Sequence, residues 1–380
     1  MNVVIAIDSF KGSLSTLQSG EAVTRALKKV YPDATATVCP LADGGEGTVD
    51  ALVAAKGGEL KKIEVTGPIG APVCAIYGID RQNATAIIEM SAAAGITLLR
   101  DEERNPLCTT TYGVGEMILD AIGEGCRRFI IGIGGSATND GGVGMLQALG
   151  FTFCDSAGAP IARGARGLAD LAAIGTGSAH KALAGCEFYV ACDVKNPLCG
   201  QNGCSAVYGP QKGATPDMVA KMDAWLTRYA ALTKAALPHA DDTTPGAGAA
   251  GGIGFAFLAY LGATLRPGIE LVIEYTGLEE RIRHADLVIT GEGRLDGQSC
   301  MGKAPVGVAR AAKRHAKPVI AFSGCVAEDA ALCNAHGIDA FFPILRTPCT
   351  LQEAMDIDNA ARNLESTAEQ ALRLVKYFRK

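Results

Sequence analysis

Short apolar runs that end in a charged, glycine-rich loop recur along this chain. Val3 to Ile7 is one such run; it ends at Asp8, and apolar residues then recur at helical spacing from about Thr16 to Lys29. Residues 35–56 repeat the arrangement, with Asp43 in the loop between strand and helix. Buried strands that alternate with amphipathic helices are typical of a parallel sheet.

The pattern changes after Gly58. The segments KKIEVTG, PVCAIYGID and ATAIIEM are separated by glycine and proline turns with no helical period between them, which predicts an antiparallel meander. A long helix is predicted from Pro216 to about Leu237. From Ala285 onward strands and helices alternate again, with a strand DLVITG, a loop GEGRLDGQSCMGK and a last helix from about Leu351 to Tyr377.

Together these patterns predict an α/β fold with two domains. The two ends share the strand–helix alternation, so we expect one discontinuous doubly wound, Rossmann-like parallel-sheet domain at residues 1–60 and 285–380. A second α/β domain is then inserted at residues 61–284 and carries the loop GIGGSATNDGG. Open α/β sheets bind ligands at the carboxyl ends of their strands, so we expect the active site in the cleft between the domains.

Composition narrows the class of protein. The chain is 48% hydrophobic and 20% charged with a net charge of -5, which is typical of a globular protein and gives no reason to expect a nucleic-acid partner. An early aspartate in MNVVIAIDSFKG argues against a signal peptide. The 13 cysteines include no C-x-x-C pair and favour reduced thiols over zinc ligands. We therefore expect a cytoplasmic protein, monomeric or homodimeric.

One uncharged segment imitates a membrane span. Thr243 to Leu265 contains no charged residue, but its first half is glycine and alanine rather than leucine. That composition is weakly hydrophobic for a bilayer, so it predicts a glycine loop that leads into a buried helix and no membrane partner.

Glycines crowd the segment from Phe129 to Gly144, where a strand pattern breaks into a loop before the next helix. Uncovered N–H groups near a helix start suit a phosphate. The same segment fits the dinucleotide fingerprint through Gly132, Gly134 and Ala137, with Asp155 after the next strand. A tight structural turn is the third interpretation. The helix begins later than the fingerprint requires, which favours the phosphate site.

Charged residues collect in five of the predicted loops. These are Asp8 with Lys11, Asp43 with Glu46, Asp140, Asp193 with Lys195, and Arg294 with Asp296 and Lys303. A single aspartate in a glycine loop is more often a turn or capping residue than a catalyst. The recurrence at strand ends instead indicates carboxylates for Mg²⁺ and cations for anions, which are the requirements of phosphoryl transfer.

The motifs in these loops resemble those of the bacterial class I glycerate kinase family. The matching stretches span almost the whole chain: IDSFKGSLS, LADGGEGTVDAL, RNPLCTTTYGVGE, GIGGSATNDGG, ACDVKNPL, VYGPQKGATP, LRPGIELV, DLVITGEGRLDGQS and GKAPVGVA. The resemblance implies a two-domain α/β enzyme that uses Mg²⁺ and transfers the γ-phosphoryl group of ATP to D-glycerate, the (R)-enantiomer. It implies 2-phosphoglycerate as the product. Ile7 stands where the family usually has proline, which should not disturb Asp8 or Lys11.

Roles for individual residues are our own hypotheses. For the carboxylate of glycerate we favour Arg294, with Lys11 second. We expect Asp296 to be the general base, with Asp8 as the alternative. Nucleotide phosphates are assigned to Gly134, Gly135, Ser136 and Asn139, and Mg²⁺ to Asp193 and Asp140.

Some alternatives remain open from sequence. Lys303 could contact a phosphate from just ahead of its helix or be a solvated surface lysine. The acceptor could be the 3-hydroxyl, which would give 3-phosphoglycerate. A nicotinamide-dependent dehydrogenase and a non-enzymatic sensor of a sugar acid or nucleotide are further alternatives.

Overall fold

The computed structural model of the protein describes residues 1–379. The described strands are β1 (Asn2–Ile7), β2 (Thr35–Val38), β3 (Glu59–Thr66), β4 (Pro72–Asp80), β5 (Thr85–Glu89), β6 (Arg128–Gly132), β7 (Thr152–Cys154), β8 (Ala173–Gly175), β9 (Glu187–Ala191), β10 (Thr264–Arg266), β11 (Leu287–Leu295), β12 (Val319–Val326) and β13 (Ala340–Pro343).

The described α-helices are α1 (Thr16–Val30), α2 (Thr48–Lys56), α3 (Ser91–Ala94), α4 (Tyr112–Gly123), α5 (Val143–Ala148), α6 (Cys204–Tyr208), α7 (Pro216–Ala236), α8 (Ala249–Leu261), α9 (Gly268–Thr276), α10 (Leu278–Arg283), α11 (Ala304–Arg314), α12 (Leu332–Ala335), α13 (Leu351–Met355) and α14 (Ile357–Phe378).

The first of two compact units contains both ends of the chain. It comprises Met1–Asp43, Asp50–Lys56 and the described residues from Gly268 on. Its sheet has five strands in the order β13-β12-β11-β1-β2, and all neighbouring pairs are parallel. β1 is buried from Val3 to Ile7, as expected for a strand covered on both faces. The predicted α/β fold with a discontinuous parallel sheet is confirmed.

The second unit comprises Gly44–Val49 and Gly57–Pro267. Its main sheet has the order β10-β9-β6-β5-β4-β3. The strands β3, β4 and β5 pair antiparallel, which is the predicted meander, whereas β5, β6, β9 and β10 are parallel neighbours. This parallel part brings the ends of β5, β6 and β9 to the same edge of the sheet.

The division of the chain differs from the predicted boundaries at both crossings. Residues 44–49 and 57–60, which sequence analysis assigned to the first domain, lie with the second unit, and residues 268–284, which it assigned to the insertion, lie with the first unit. The helix α9 packs closely on α11, because a Cβ on Gly307 would lie 2.5 Å from the side chain of Ile269. The apolar pattern of α9 predicts a buried face but does not indicate which of the two sheets that face packs against, so the boundary could not be predicted from it.

Two elements differ from the sequence prediction. The strand expected to end at Thr290 continues to Leu295, so Glu292 and Arg294 lie on β11 rather than in a loop. Its glycines serve close strand packing, because a Cβ on Gly291 would lie 2.1 Å from the carbonyl oxygen of Phe322. The last predicted helix is broken at Asp356, whose carboxylate caps α14 by accepting the Asn359 N–H at 2.9 Å.

The uncharged segment near Thr243 forms the buried helix α8, as expected from its composition. Across residues 1–379, the helices are all too short or too polar to cross a bilayer.

Candidate active site

A pocket of about 400 Å³ lies in the first unit, over the carboxyl ends of its parallel strands. Charged residues line one part of it: Asp8, Lys11, Asp43, Glu292, Arg294 and Lys303. Apolar residues line another part, including Phe10, Ile344, Leu351 and Met355. Its volume suits a small ligand, and its position is the one at which open α/β sheets bind ligands.

Asp8 lies just past the end of β1, next to the central strand β11. Ile7 pairs with Gly291, so Asp8 and Glu292 follow this pair side by side. Asp8 is 6% exposed, and one of its carboxylate oxygens accepts the Ser9 N–H at 2.7 Å. Burial, and next the charge of Asp43, raise the pKa of Asp8 to about 7. A carboxylate with that pKa can exchange a proton near neutral pH.

Two more acids share this pocket. Asp43 follows β2, and its Oδ2 lies 3.9 Å from the Lys11 ammonium. Glu292 is buried and accepts a short hydrogen bond from the Ser299 hydroxyl. Burial raises the pKa of Glu292. Sequence analysis did not single out Glu292 because it expected a loop there; the strand register opposite Asp8 is the signal that identifies it.

Asp296 has a different environment from the one expected of a general base. Its Oδ1 accepts the N–H groups of Gln298 and Ser299 at 3.0 and 3.2 Å, which caps the short 3₁₀ turn Gly297–Met301. The same carboxylate lies 3.3 Å from Arg294 Nε and 3.8 Å from Lys303 Nζ. Asp296 therefore caps this turn and lies beside two cations.

The cations of the pocket remain accessible. The side chains of Lys11 and Arg294 are 62% and 67% exposed, and that of Lys303 is 36% exposed. Lys303 occupies the N-cap position of α11 and lies beside Asp296, within the first unit. The three cations can therefore bind an anionic group, and Arg294 can do so with two parallel hydrogen bonds.

In the second unit two glycine loops pack against each other. A Cβ on Gly132 would lie 2.3 Å from the carbonyl oxygen of Gly44, so only glycine permits this approach. Gly134 and Gly135 are exposed beyond the end of β6. Among residues 1–379, no acceptor takes the N–H groups of Gly134, Gly135 and Ser136. These three residues, here called the anion loop, offer uncommitted donors of the kind that bind phosphate.

Asp140 and Asn139 lie beneath this surface. Asp140 is 1% exposed and accepts from Thr111 N, Thr111 Oγ1, Gly142 N and Gly144 N at 2.8 to 3.3 Å. Asn139 is fully buried and donates to Ser205 Oγ at 2.8 Å. This geometry does not support the predicted roles of Asp140 as a Mg²⁺ ligand and of Asn139 as a nucleotide contact. Both residues instead hold the segment between β6 and α5 through buried hydrogen bonds.

Asp193 is placed differently. Gly132 pairs with Ala191, so Gly134 and Asp193 each follow this register by two residues at the same sheet edge. Asp193 is exposed. Within residues 1–379 there is no group of three metal-binding side chains. Mg²⁺, however, commonly takes one or two carboxylates together with substrate phosphates and water, so a site at Asp193 fits such an ion.

The dinucleotide interpretation does not fit the local geometry. The helix α5 begins at Val143, well after the last residue of β6 at Gly132, whereas the fingerprint needs a helix that begins within its glycines. Asp155 accepts the N–H groups of Ala157 and Ala159, which closes a turn.

Comparison with known proteins identifies the group to which this chain belongs. The profile of the glycerate kinase family matches residues 3–376. The chain belongs to the glycerate kinase family. It is 48% identical to the glycerate 2-kinase of Escherichia coli K12 over 379 residues, covering 98% of this chain and 99% of that one. It is 47% identical to the glycerate kinase of Bacillus subtilis 168 over 376 residues, covering 99% and 98%.

A solved structure supports the same family. The crystal structure of a Salmonella typhimurium LT2 protein assigned as glycerate kinase 2 is 48% identical, with a TM-score of 0.90 and coverage of 100% and 99%. Membership of the glycerate kinase family confirms the predictions that the chain is α/β and that it is a kinase. It also removes the support for the dehydrogenase and sensor alternatives.

Proposed function

We propose that this protein transfers the γ-phosphoryl group of ATP to the 2-hydroxyl of D-glycerate, forming 2-phosphoglycerate and ADP with Mg²⁺. The observation that carries the proposal is the pocket in which the buried carboxylate of Asp8 lies among three cationic side chains. The cations suit a substrate that carries a carboxylate, and the Asp8 carboxylate suits one with a hydroxyl that must lose its proton. The 48% identity to a protein named glycerate 2-kinase favours the 2-hydroxyl over the 3-hydroxyl.

In this proposal Arg294 binds the carboxylate of glycerate, and Lys11 is the second candidate. Arg294 is the better partner because its guanidinium can bond both carboxylate oxygens, and Asp296 Oδ2 orients it from 3.3 Å. Binding of the carboxylate in this way fixes the position of the hydroxyl relative to the γ-phosphate. Such positioning is a large part of catalysis in phosphoryl transfer.

Asp8 acts as the general base. Its carboxylate accepts the proton of the attacking hydroxyl, the oxygen forms a bond to the γ-phosphorus, and the bond to the bridging oxygen of ADP breaks. The raised pKa of Asp8 makes it a stronger proton acceptor than an ordinary aspartate at neutral pH. Lys11 and Lys303 then offset negative charge that gathers on the phosphoryl group.

The anion loop holds nucleotide phosphates in this proposal through the N–H groups of Gly134, Gly135 and Ser136. Asp193 would hold Mg²⁺, which supplies positive charge to the phosphate oxygens when bound. Use of ATP is consistent with a cytoplasmic enzyme, and we expect a monomer or homodimer.

The experiment that tests the proposal is phosphorus NMR of a reaction containing ATP, Mg²⁺ and D-glycerate, recorded with proton coupling. The phosphate of 2-phosphoglycerate couples to one proton and gives a doublet, whereas that of 3-phosphoglycerate couples to two and gives a triplet. A doublet is expected, a triplet would move the attack to the 3-hydroxyl, and an absence of product would reject the kinase assignment. L-Glycerate is the matched control and should give a much smaller signal.

A further inference from the structure

A buried lysine is hydrogen-bonded to the anion loop. Lys212 follows α6, in the 3₁₀ turn Pro210–Lys212, and is only 2% exposed. Its ammonium donates to Ser136 Oγ at 2.8 Å and to the carbonyl oxygen of Thr138 at 2.6 Å. Both acceptors are neutral, so the structure buries a cation whose direct contacts carry no compensating charge.

Placing an ammonium there is costly. Burial lowers the pKa of Lys212 to about 8, because the interior disfavours the charged form. The titratable groups that face it are Asp140, which is itself buried, and Cys204, at the start of α6. Burial raises the pKa of Cys204 to about 11 and also raises that of Asp140. A leucine or methionine would fill the same space without this cost, so the charge or its hydrogen bonds serve some purpose.

Lys212 bonds to Ser136, the last residue of the anion loop, and to Thr138. The same stretch of chain also bridges to the end of α3 and the residues after it: Ile96 N–H donates to Gly135 O at 2.8 Å, and Ala137 N–H donates to Ala94 O at 2.9 Å. The uncommitted N–H groups of Gly134, Gly135 and Ser136 therefore belong to a stretch of chain that is fixed at several atoms. The backbone of Lys212 is itself fixed by Gly213, since a Cβ there would lie 2.3 Å from Arg104 O.

We propose that Lys212 is a positioning residue for phosphate binding in the second unit. Its ammonium holds Ser136 and Thr138 so that the three N–H groups of the anion loop stay directed at one anion, and its charge attracts that anion. This inference rests on the proposed function, since it takes nucleotide phosphates as the anion. An anion at the loop supplies the negative charge that the neutral contacts of Lys212 lack.

The primary test is Lys212→Met in the full-length protein, with Lys221→Met as the matched control. Lys221 is an exposed lysine on α7 that pairs with Asp217, so the control removes one charge from the same unit without touching the loop. Calorimetry gives the affinities for ATP and for inorganic tripolyphosphate without glycerate, and initial rates give KM for each substrate.

Lys212→Met should weaken both ligands by about tenfold or more and raise KM for ATP, with a smaller change in KM for D-glycerate. Lys212→Arg, which restores the charge, should recover part of the affinity if the interior accepts its larger head. Lys221→Met should bind like the wild type. Affinities within about twofold of the wild type for Lys212→Met would overturn the proposal.

A wild-type measurement guards against a variant that fails to fold. The affinity for tripolyphosphate above pH 7.5 should fall as pH rises past about 8, because the free protein then loses the Lys212 proton. The same fall should persist in Cys204→Ser, which removes the other facing group that could ionise at alkaline pH. A flat profile overturns the proposal.

The outcomes also separate this inference from the proposed function. If the protein phosphorylates D-glycerate but its ATP affinity changes neither in Lys212→Met nor with pH, the proposed kinase function stands and the role of Lys212 is rejected. A wild-type protein that binds neither ATP nor tripolyphosphate rejects both.

Discussion

Replacing Asp8 with asparagine should stabilise the metal-free protein at neutral and alkaline pH while removing its activity. Asp8 is 6% exposed, beside Asp43 and Glu292, so its ionised form is disfavoured in the folded state. Asparagine keeps the size of the side chain and can still accept the Ser9 N–H, but it carries no charge. The charge that we propose for catalysis at Asp8 therefore lowers the stability of the folded protein.

The magnitude follows from the pKa. Raising it from 3.8 to about 7 corresponds to about 4 kcal/mol of unfolding free energy when Asp8 is fully ionised. Below pH 3.8 both states are protonated and no penalty exists. Between that pH and about 7 the unfolded chain loses its proton first, so stability falls as pH rises. Water entry and relaxation reduce the penalty, so we expect about 2 to 4 kcal/mol above pH 7.

Urea unfolding of the two proteins in EDTA, from pH 5 to 9, measures this difference. The advantage of Asp8→Asn should grow up to about pH 7 and then level off. Asp43→Asn is the matched control: it keeps Asp8 but removes a neighbouring charge that raises its pKa, so the levelling should occur at lower pH. In the assay, Asp8→Asn should lower kcat by about 100-fold or more with little change in KM for ATP. An advantage that does not vary with pH would refute the reasoning.

Three further substitutions test other parts of the site. Arg294→Gln should raise KM for D-glycerate by about tenfold or more while KM for ATP holds, and initial rates that show no such split would remove its carboxylate role. Gly132→Ala should lower the free energy of unfolding by about 1 to 3 kcal/mol and weaken ATP binding, because the new Cβ would lie 2.3 Å from Gly44 O. Gly123→Ala is the control, since a Cβ there meets open space and should change neither the stability nor the affinity. Asp140→Asn should cost about 1 to 3 kcal/mol, because its amide would face the Gly142 N–H; an unaltered stability with a raised Mg²⁺ requirement would instead restore its metal role.

Sequence patterns predicted most of the fold because burial imposes regular spacing. The expected helix near Thr16 is α1, and the helix predicted from Pro216 to about Leu237 ends one residue earlier, at Ala236. Errors occurred where a local signal has two meanings. In the sequence, the glycines of β11 predict a loop. In the structure, they permit close packing of β11 on β12.

The candidate site was harder to predict because an aspartate after a strand can serve the fold or the ligand. Asp8, Asp140 and Asp296 all stand in such loops. Only their surroundings distinguish them. Both oxygens of Asp140 and one oxygen of Asp296 accept two or more N–H groups of the backbone between them, whereas Asp8 accepts a single N–H and has two acids beside it. Nothing in the residue types or their spacing records how many donors each carboxylate receives.

The same distinction applies to the cations. An exposed cation is accessible to a ligand but stabilises the fold little, which is why we propose Lys11 and Arg294 as contacts to substrate. A buried lysine is costly unless some partner offsets its charge. Because Lys212 has neutral contacts in the folded protein, an anion on the loop above it is the partner that would make its burial favourable, and ligand binding should then stabilise the second unit more in the wild type than in Lys212→Met.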